Sequence, residues 1–135
     1  MSETSTVEKP RPQPNELSAP YWEGAARGEL VLQKCADCGT IRHYPRLMCA
    51  ACQSRVVTHV VASGNGKVHS WTVAHHPFHP AFRDELPYTM VTIDLEEGVR
   101  ALGRWKSDAT PFIGQAVKAS FIPGGSGDEL WFAPV

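Results

Sequence analysis

The chain has 135 residues, a formal net charge of −1 and 42% hydrophobic residues. That length suits one compact domain with a small appendage, and the charge balance argues against a protein whose main partner is bulk nucleic acid, which usually carries a basic excess. No apolar run approaches the ~20 residues of a membrane span. The first residues lack the basic-then-apolar pattern of a secretory leader, so the cytoplasm is the expected compartment.

Residues 1–15 are polar and carry Pro10, Pro12 and Pro14. They bury too little apolar surface to fold alone and read as a disordered or extended tail. Residues 16–30 read as a helix. Ser18 suits an N-cap and Pro20 a first turn. Tyr21, Trp22, Ala25, Ala26 and Leu30 then form an apolar stripe at helical spacing. The stripe fits a packing helix or a docking element, and the sequence leaves both open.

A ribbon is expected over 31–54. Residues 30–34 form a strand leading into Cys35-Ala-Asp-Cys38-Gly39, residues 41–44 pair back, Pro45 ends the hairpin, and Cys49-Ala-Ala-Cys52 follows. A two-residue gap lets both thiolates of a knuckle face one ion, and two knuckles complete a tetrahedral site with Zn–S near ~2.3 Å. Gly39 suits a knuckle turn that needs positive φ. The four cysteines are all used in this way. Two disulfides or a redox pair fit less well, without an oxidising compartment or a βαβ context. An iron centre with the same thiolates fits the spacing equally. A closed four-sulfur site builds structure rather than doing chemistry, and its binding energy is folding energy. His43 lies between the knuckles but is surplus to a complete ligand set, so it reads as solvated or hydrogen-bonded.

Beyond Cys52 the pattern changes to short strands with turn punctuation. Residues 55–62 are β-rich, 63–66 are a turn, and 67–74 and 88–95 are strands. Residues 96–98 form a hairpin turn into 99–105, with last strands over 115–122 and 130–132. Such spacing predicts a small five-stranded closed barrel over 55–135. Gly103 fits a bulge or a barrel corner, and 108–114 a short turn of helix. The joining loop 75–87 holds His75, His76, Phe78, His79, Phe82 and Arg83. A loop of that length is often functional. It fits a second metal site, a general base, an aromatic and basic lip for an anionic, partly apolar ligand, or a plain, proline-stiffened surface loop. No glycine-rich phosphate loop, serine nucleophile elbow or paired carboxylates occur, and Asp94, Glu96 and Glu97 read as solvated charge around a turn.

These motifs together resemble a known family. The carrying residues are Tyr21-Trp22-Glu-Gly, the run from Gly28 through Cys35-Ala-Asp-Cys38-Gly39, Tyr44-Pro-Arg46 and Cys49-Ala-Ala-Cys52. Gly64-Asn-Gly66 through Trp71-Thr-Val73, Leu86-Pro87-Tyr88 and Asp94 through Gly98-Val-Arg100 continue the likeness. From about residue 18 onward the chain is similar to the zinc-ribbon plus OB-fold proteins associated with acyl-CoA metabolism, formerly a domain of unknown function. The resemblance implies a mainly β protein with a rubredoxin-like ribbon and one structural zinc on Cys35, Cys38, Cys49 and Cys52. It implies a non-catalytic subunit that docks on a thiolase-like or hydratase partner and helps hold or channel a CoA thioester. Arg42, Arg46, Arg83 and Arg104 are then candidates for the nucleotide phosphates, with Trp71, His75 and Phe78 as further ligand contacts. Two rival readings remain at this point. One is a single-stranded nucleic-acid binder stacking bases on Trp71, Tyr88 and Trp105. The other is a standalone hydrolase or hydratase using His75, His76 and His79.

Overall fold

A computed structural model describes residues 8–124 and 127–135. The expected tail falls partly outside this range, at residues 1–7. Of the two forms the composition allows, the described part takes the extended one. Lys9 ties it down through ion pairs to Glu85 (2.7 Å) and Glu129 (3.2 Å). Asn15 and Ser18 then bond reciprocally: Asn15 N–H donates to Ser18 Oγ and Ser18 N–H to Asn15 Oδ1. Helix α1 spans Ala19–Ala26, with proline in its first turn as expected. Ser18 does not cap it by its side chain, a correction to the sequence expectation. Its hydroxyl is already committed to the preceding turn.

Strand β1 (Val31–Cys35) is buried at every position except Lys34. It pairs antiparallel with β2 (Ile41–Arg42) on one edge and with β3 (Val57–Val61) on the other. The sequence spacing assigns residues from 55 onward to the barrel, whereas β3 is the third strand of the ribbon's own sheet. Alternation identifies a strand but not its partner, and β1 leaves a whole edge free for β3.

The remaining strands are β4 (Asn65–Ala74), β5 (Tyr88–Leu95), β6 (Arg100–Trp105), β7 (Ala116–Gly124) and β8 (Gly127–Pro134). They close into a barrel in the order β4-β5-β6-β8-β7. All its pairings are antiparallel except β6 with β8. Its interior is filled by Val68, Val91, Ile93, Ala101, Val117 and Phe132, as period-two alternation requires of a small barrel. Leu30 and Leu32 belong to the same apolar cluster. Ribbon and barrel therefore share one core.

Two local expectations change. The bulge lies in β4, between Val68 and Ser70. Gly103 instead serves close packing: a Cβ there would meet the Phe132 ring at 2.8 Å. Residues 108–114 form no helix. Pro111 disfavours the helical region for Thr110, and the stretch is held by the Trp105 indole donating to the Ala109 carbonyl (2.7 Å). The long loop contains a 3-10 helix, Pro80–Glu85, with His79 Nδ1 accepting from the Ala81 N–H at its start.

Candidate metal centre and ligand surfaces

The two knuckles are built alike. Gly39 N–H donates to the Cys35 carbonyl (3.0 Å) and Gln53 N–H to the Cys49 carbonyl (2.8 Å). The residue after each second cysteine has positive φ, 80° at Gly39 and 65° at Gln53. The glycine expected for this geometry is present in the first knuckle, and the second accepts it with a side chain. The four Sγ atoms lie within 4.8 Å of one another. Cys35 and Cys52 approach to 3.5 Å, Cys38 and Cys49 to 3.6 Å. Four sulfurs at ~2.3 Å from a tetrahedral zinc stand about 3.8 Å apart, so the donor set fits.

The electrostatics fit as well. The Cys38 N–H, followed by that of Asp37, lowers the Cys35 thiol to about 6. The Cys52 and Ala51 N–H groups likewise lower Cys49. Cys52 is raised to about 12: the Ser54 N–H lowers it, and the adjoining sulfurs, Cys35 first, outweigh that. Crowded thiolates repel one another, and a divalent cation between them removes that repulsion. All four donors are sulfur. The centre is closed, with no position for substrate, and its role is structural. It holds the ends of β1 and β2 against the loop leading to β3.

A second cluster lies where the ribbon meets the barrel. Gln33 is 2% exposed, and its Oε1 accepts from the Arg42 Nε–H and from the Arg46 N–H (2.8 Å). Arg42 Nη2 reaches the Arg46 carbonyl (3.3 Å), while its buried Nη1 has no partner among the described residues. His43 stacks on Tyr44 (3.9 Å between ring centroids) and faces Tyr21 (5.7 Å). Burial lowers its pKa to about 4, and neither ring nitrogen has a partner among the described residues. The expectation of a solvated or hydrogen-bonded His43 is thereby corrected: its contacts are aromatic. Tyr44 crosses to the barrel, where its Oη accepts from the Leu102 N–H (3.0 Å). Gln33 escapes sequence reasoning, and its signal is an amide directly following the apolar run of β1.

The other expected ligand residues are dispersed. Arg104 lies between the rings of Tyr88 and Trp131, 4.5 Å from each centroid, and pairs with Glu85. It borders a groove of about 510 Å³ on the barrel face, walled by Tyr21, Trp22, Phe82, Tyr88 and Glu129. Arg42 and Arg46 border a separate cleft. Trp71 and Phe78 are exposed, at 37% and 81%, and line neither, as do His75 and Arg83. Of the proposed stacking residues, Trp105 is buried at 7% exposure. His76 packs edge-on to Phe78, and His79 is occupied by the Ala81 amide. Among the described residues, the cysteines are the one group of three or more potential metal ligands brought together.

A four-thiolate ribbon joined through a shared core to a five-stranded barrel defines a zinc-ribbon plus OB-fold protein. Residues 22–58 match the family described as ChsH2, rubredoxin-like zinc ribbon domain, and residues 59–121 that described as ChsH2, C-terminal OB-fold domain. Over 96 residues the chain is 33% identical to a DUF35 domain-containing scaffold protein of Methanocaldococcus jannaschii, covering 68% of this chain and 67% of the relative. The chain belongs to this DUF35 family of zinc-ribbon plus OB-fold proteins. It is 46% identical over 92 residues to a probable enoyl-CoA hydratase alpha subunit of Thermomonospora curvata, covering 68% of this chain and 28% of the relative. It is 37% identical over 114 residues to the 3-oxo-4,17-pregnadiene-20-carboxyl-CoA hydratase alpha subunit of Mycobacterium tuberculosis, covering 83% and 36%. It thus spans about a third of the length of these two subunits. A solved structure described as the Ltp2-ChsH2(DUF35) aldolase superposes with a TM-score of 0.83 at 37% identity, covering 92% of this chain and 98% of that one. No described helix is long and apolar enough to cross a membrane.

Proposed function

We propose that the chain is a non-catalytic accessory subunit. It docks on a larger acyl-CoA-processing enzyme, of hydratase or thiolase-like type, and helps hold a CoA thioester there. The observation that carries this reading is the likeness, over 92% of this chain, to a chain of the Ltp2-ChsH2(DUF35) aldolase. The hydratase alpha subunits support it from a second direction, since this chain corresponds to one segment of each. The site chemistry agrees. A closed four-sulfur centre offers no Lewis acid to a substrate, and among the described residues the loop histidines are not gathered with other potential metal ligands. The ribbon also exposes Tyr44, Leu47, Met48 and Val56, and large apolar groups turned to solvent on one small element suit a docking surface.

The test is purification of the tagged chain from its host, followed by acyl-CoA turnover measurements on the larger subunit that accompanies it. One stoichiometric acyl-CoA enzyme is expected, with turnover that falls when this chain is stripped away and returns on its addition. Substantial turnover by the isolated chain, or no effect of the chain on its companion's turnover, refutes the reading.

A further inference from the structure

The junction between ribbon and barrel holds a cleft of about 440 Å³ bordered by Arg42, His43, Arg46, Asp94 and Arg100. Arg42 stands at the end of β2, Arg46 in the loop behind it, and Arg100 at the start of β6. Three guanidiniums thus meet one carboxylate. Asp94 is already engaged by Arg100 Nε (2.8 Å) and by His69 Nδ1 (3.3 Å), and Arg100 holds its charge below the usual carboxylate range. The neighbouring Glu96 and Glu97 accept from Ser63, which donates its hydroxyl to the first and its N–H to the second, and neither carboxylate borders the cleft. His43 remains neutral because burial lowers its pKa to about 4. The surplus charge of the cleft is therefore positive, and it is carried by arginine at any ordinary pH.

The arginines are also positioned. Buried Gln33 grips the Arg42 guanidinium and the Arg46 backbone with one oxygen. Arg42, which borders the cleft, also keeps a buried Nη1 with no acceptor among the described residues. The Arg46 side chain makes no ion pair or hydrogen bond among them. A buried donor without an acceptor is uncommon in folded proteins and marks a place for one. Guanidinium forks match phosphate oxygens in bidentate pairs.

We infer that this cleft is a phosphate-binding site for a phosphate ester or diphosphate, held by Arg42, Arg46 and Arg100. The inference deepens the acyl-CoA reading and rests on it for the owner of the phosphate, the nucleotide end of coenzyme A. It separates Arg42 and Arg46, as ligand contacts, from Arg104, which is committed to Glu85 and two aromatic rings. It also adds Arg100 to the set.

The test titrates the zinc-loaded full chain with inorganic pyrophosphate and then with coenzyme A, by calorimetry or by chemical shifts. Saturable pyrophosphate binding is expected, weakening several-fold between about 20 and 200 mM salt. Arg46→Gln, which breaks no bond of the fold, should weaken it about tenfold or more. Arg42→Gln should do the same, and Arg83→Gln should not change it. No pyrophosphate binding at low salt, or binding unchanged in Arg46→Gln, overturns the site. If coenzyme A binds and Arg46→Gln leaves it untouched, this site falls and the acyl-CoA reading stands. If pyrophosphate binds and is lost in Arg46→Gln while coenzyme A does not bind, the site stands and the acyl-CoA reading falls.

Discussion

Replacing Gln33 by methionine keeps the bulk of a side chain that is 2% exposed and deletes its amide. Two donors lose their acceptor: the Arg42 Nε–H and the Arg46 N–H. A hydrogen bond to a charged group contributes about 1.5–3 kcal/mol and a neutral one about 0.5–1.5 kcal/mol. The sum for the pair is about 2–4.5 kcal/mol. Arg42 already carries one donor without a partner among the described residues, so this guanidinium has no local alternative to turn to. Urea unfolding of the zinc-loaded protein reads the effect directly: the slope should be unchanged and the midpoint should fall by that free energy divided by the slope. Pyrophosphate affinity should fall as well, because the arginine loop loses its tie to β1. A stability loss below about 0.5 kcal/mol would show that Gln33 does not hold the junction.

Gln53→Gly should stabilise the second knuckle by up to about 1 kcal/mol, since φ is 65° there and a side chain at that conformation costs about 1–2 kcal/mol; thermal unfolding with zinc bound checks it, and any destabilisation contradicts the account. Gly103→Ala drives a methyl into the Phe132 ring at 2.8 Å, so a loss of about 1–3 kcal/mol is expected from overpacking; a neutral result would mean the barrel yields. His43 should make stability depend on pH. Burial holds its folded pKa at about 4, below the ordinary histidine value of 6.5, so the unfolded state takes up its proton first, and stability present above the unfolded pKa is lost as pH falls toward 4. About 1–2 kcal/mol should disappear between pH 7 and 5, and His43→Phe should flatten that slope; equal slopes would refute it.

The metal centre was legible because its information is local: two short spacings and a glycine determine the knuckles. The barrel was legible through alternation over 67–74 and 88–95 and the turn at Gly98. What alternation does not encode is partnership, and β3 shows this, since nothing in residues 57–61 says that their edge belongs to β1. The same holds for Gly103, whose reason for being glycine is a ring nearly thirty residues away in the chain. The candidate ligand residues divide along the same line. The sequence marks Arg42, Arg46, Arg83 and Arg104 alike as guanidiniums. Only the fold shows that Arg104 is enclosed by Glu85, Tyr88 and Trp131 while Arg46 stands ready in a cleft. His43 likewise reads as solvated or hydrogen-bonded until the fold shows it packed between aromatic rings.

X-ray absorption at the metal edge of purified protein tests most directly whether the centre builds the fold rather than performing chemistry. The account predicts one zinc per chain with four sulfur neighbours at ~2.3 Å and no nitrogen or oxygen in the shell. A shell containing a water oxygen or a nitrogen would give the metal an open or mixed site and contradict a purely structural centre.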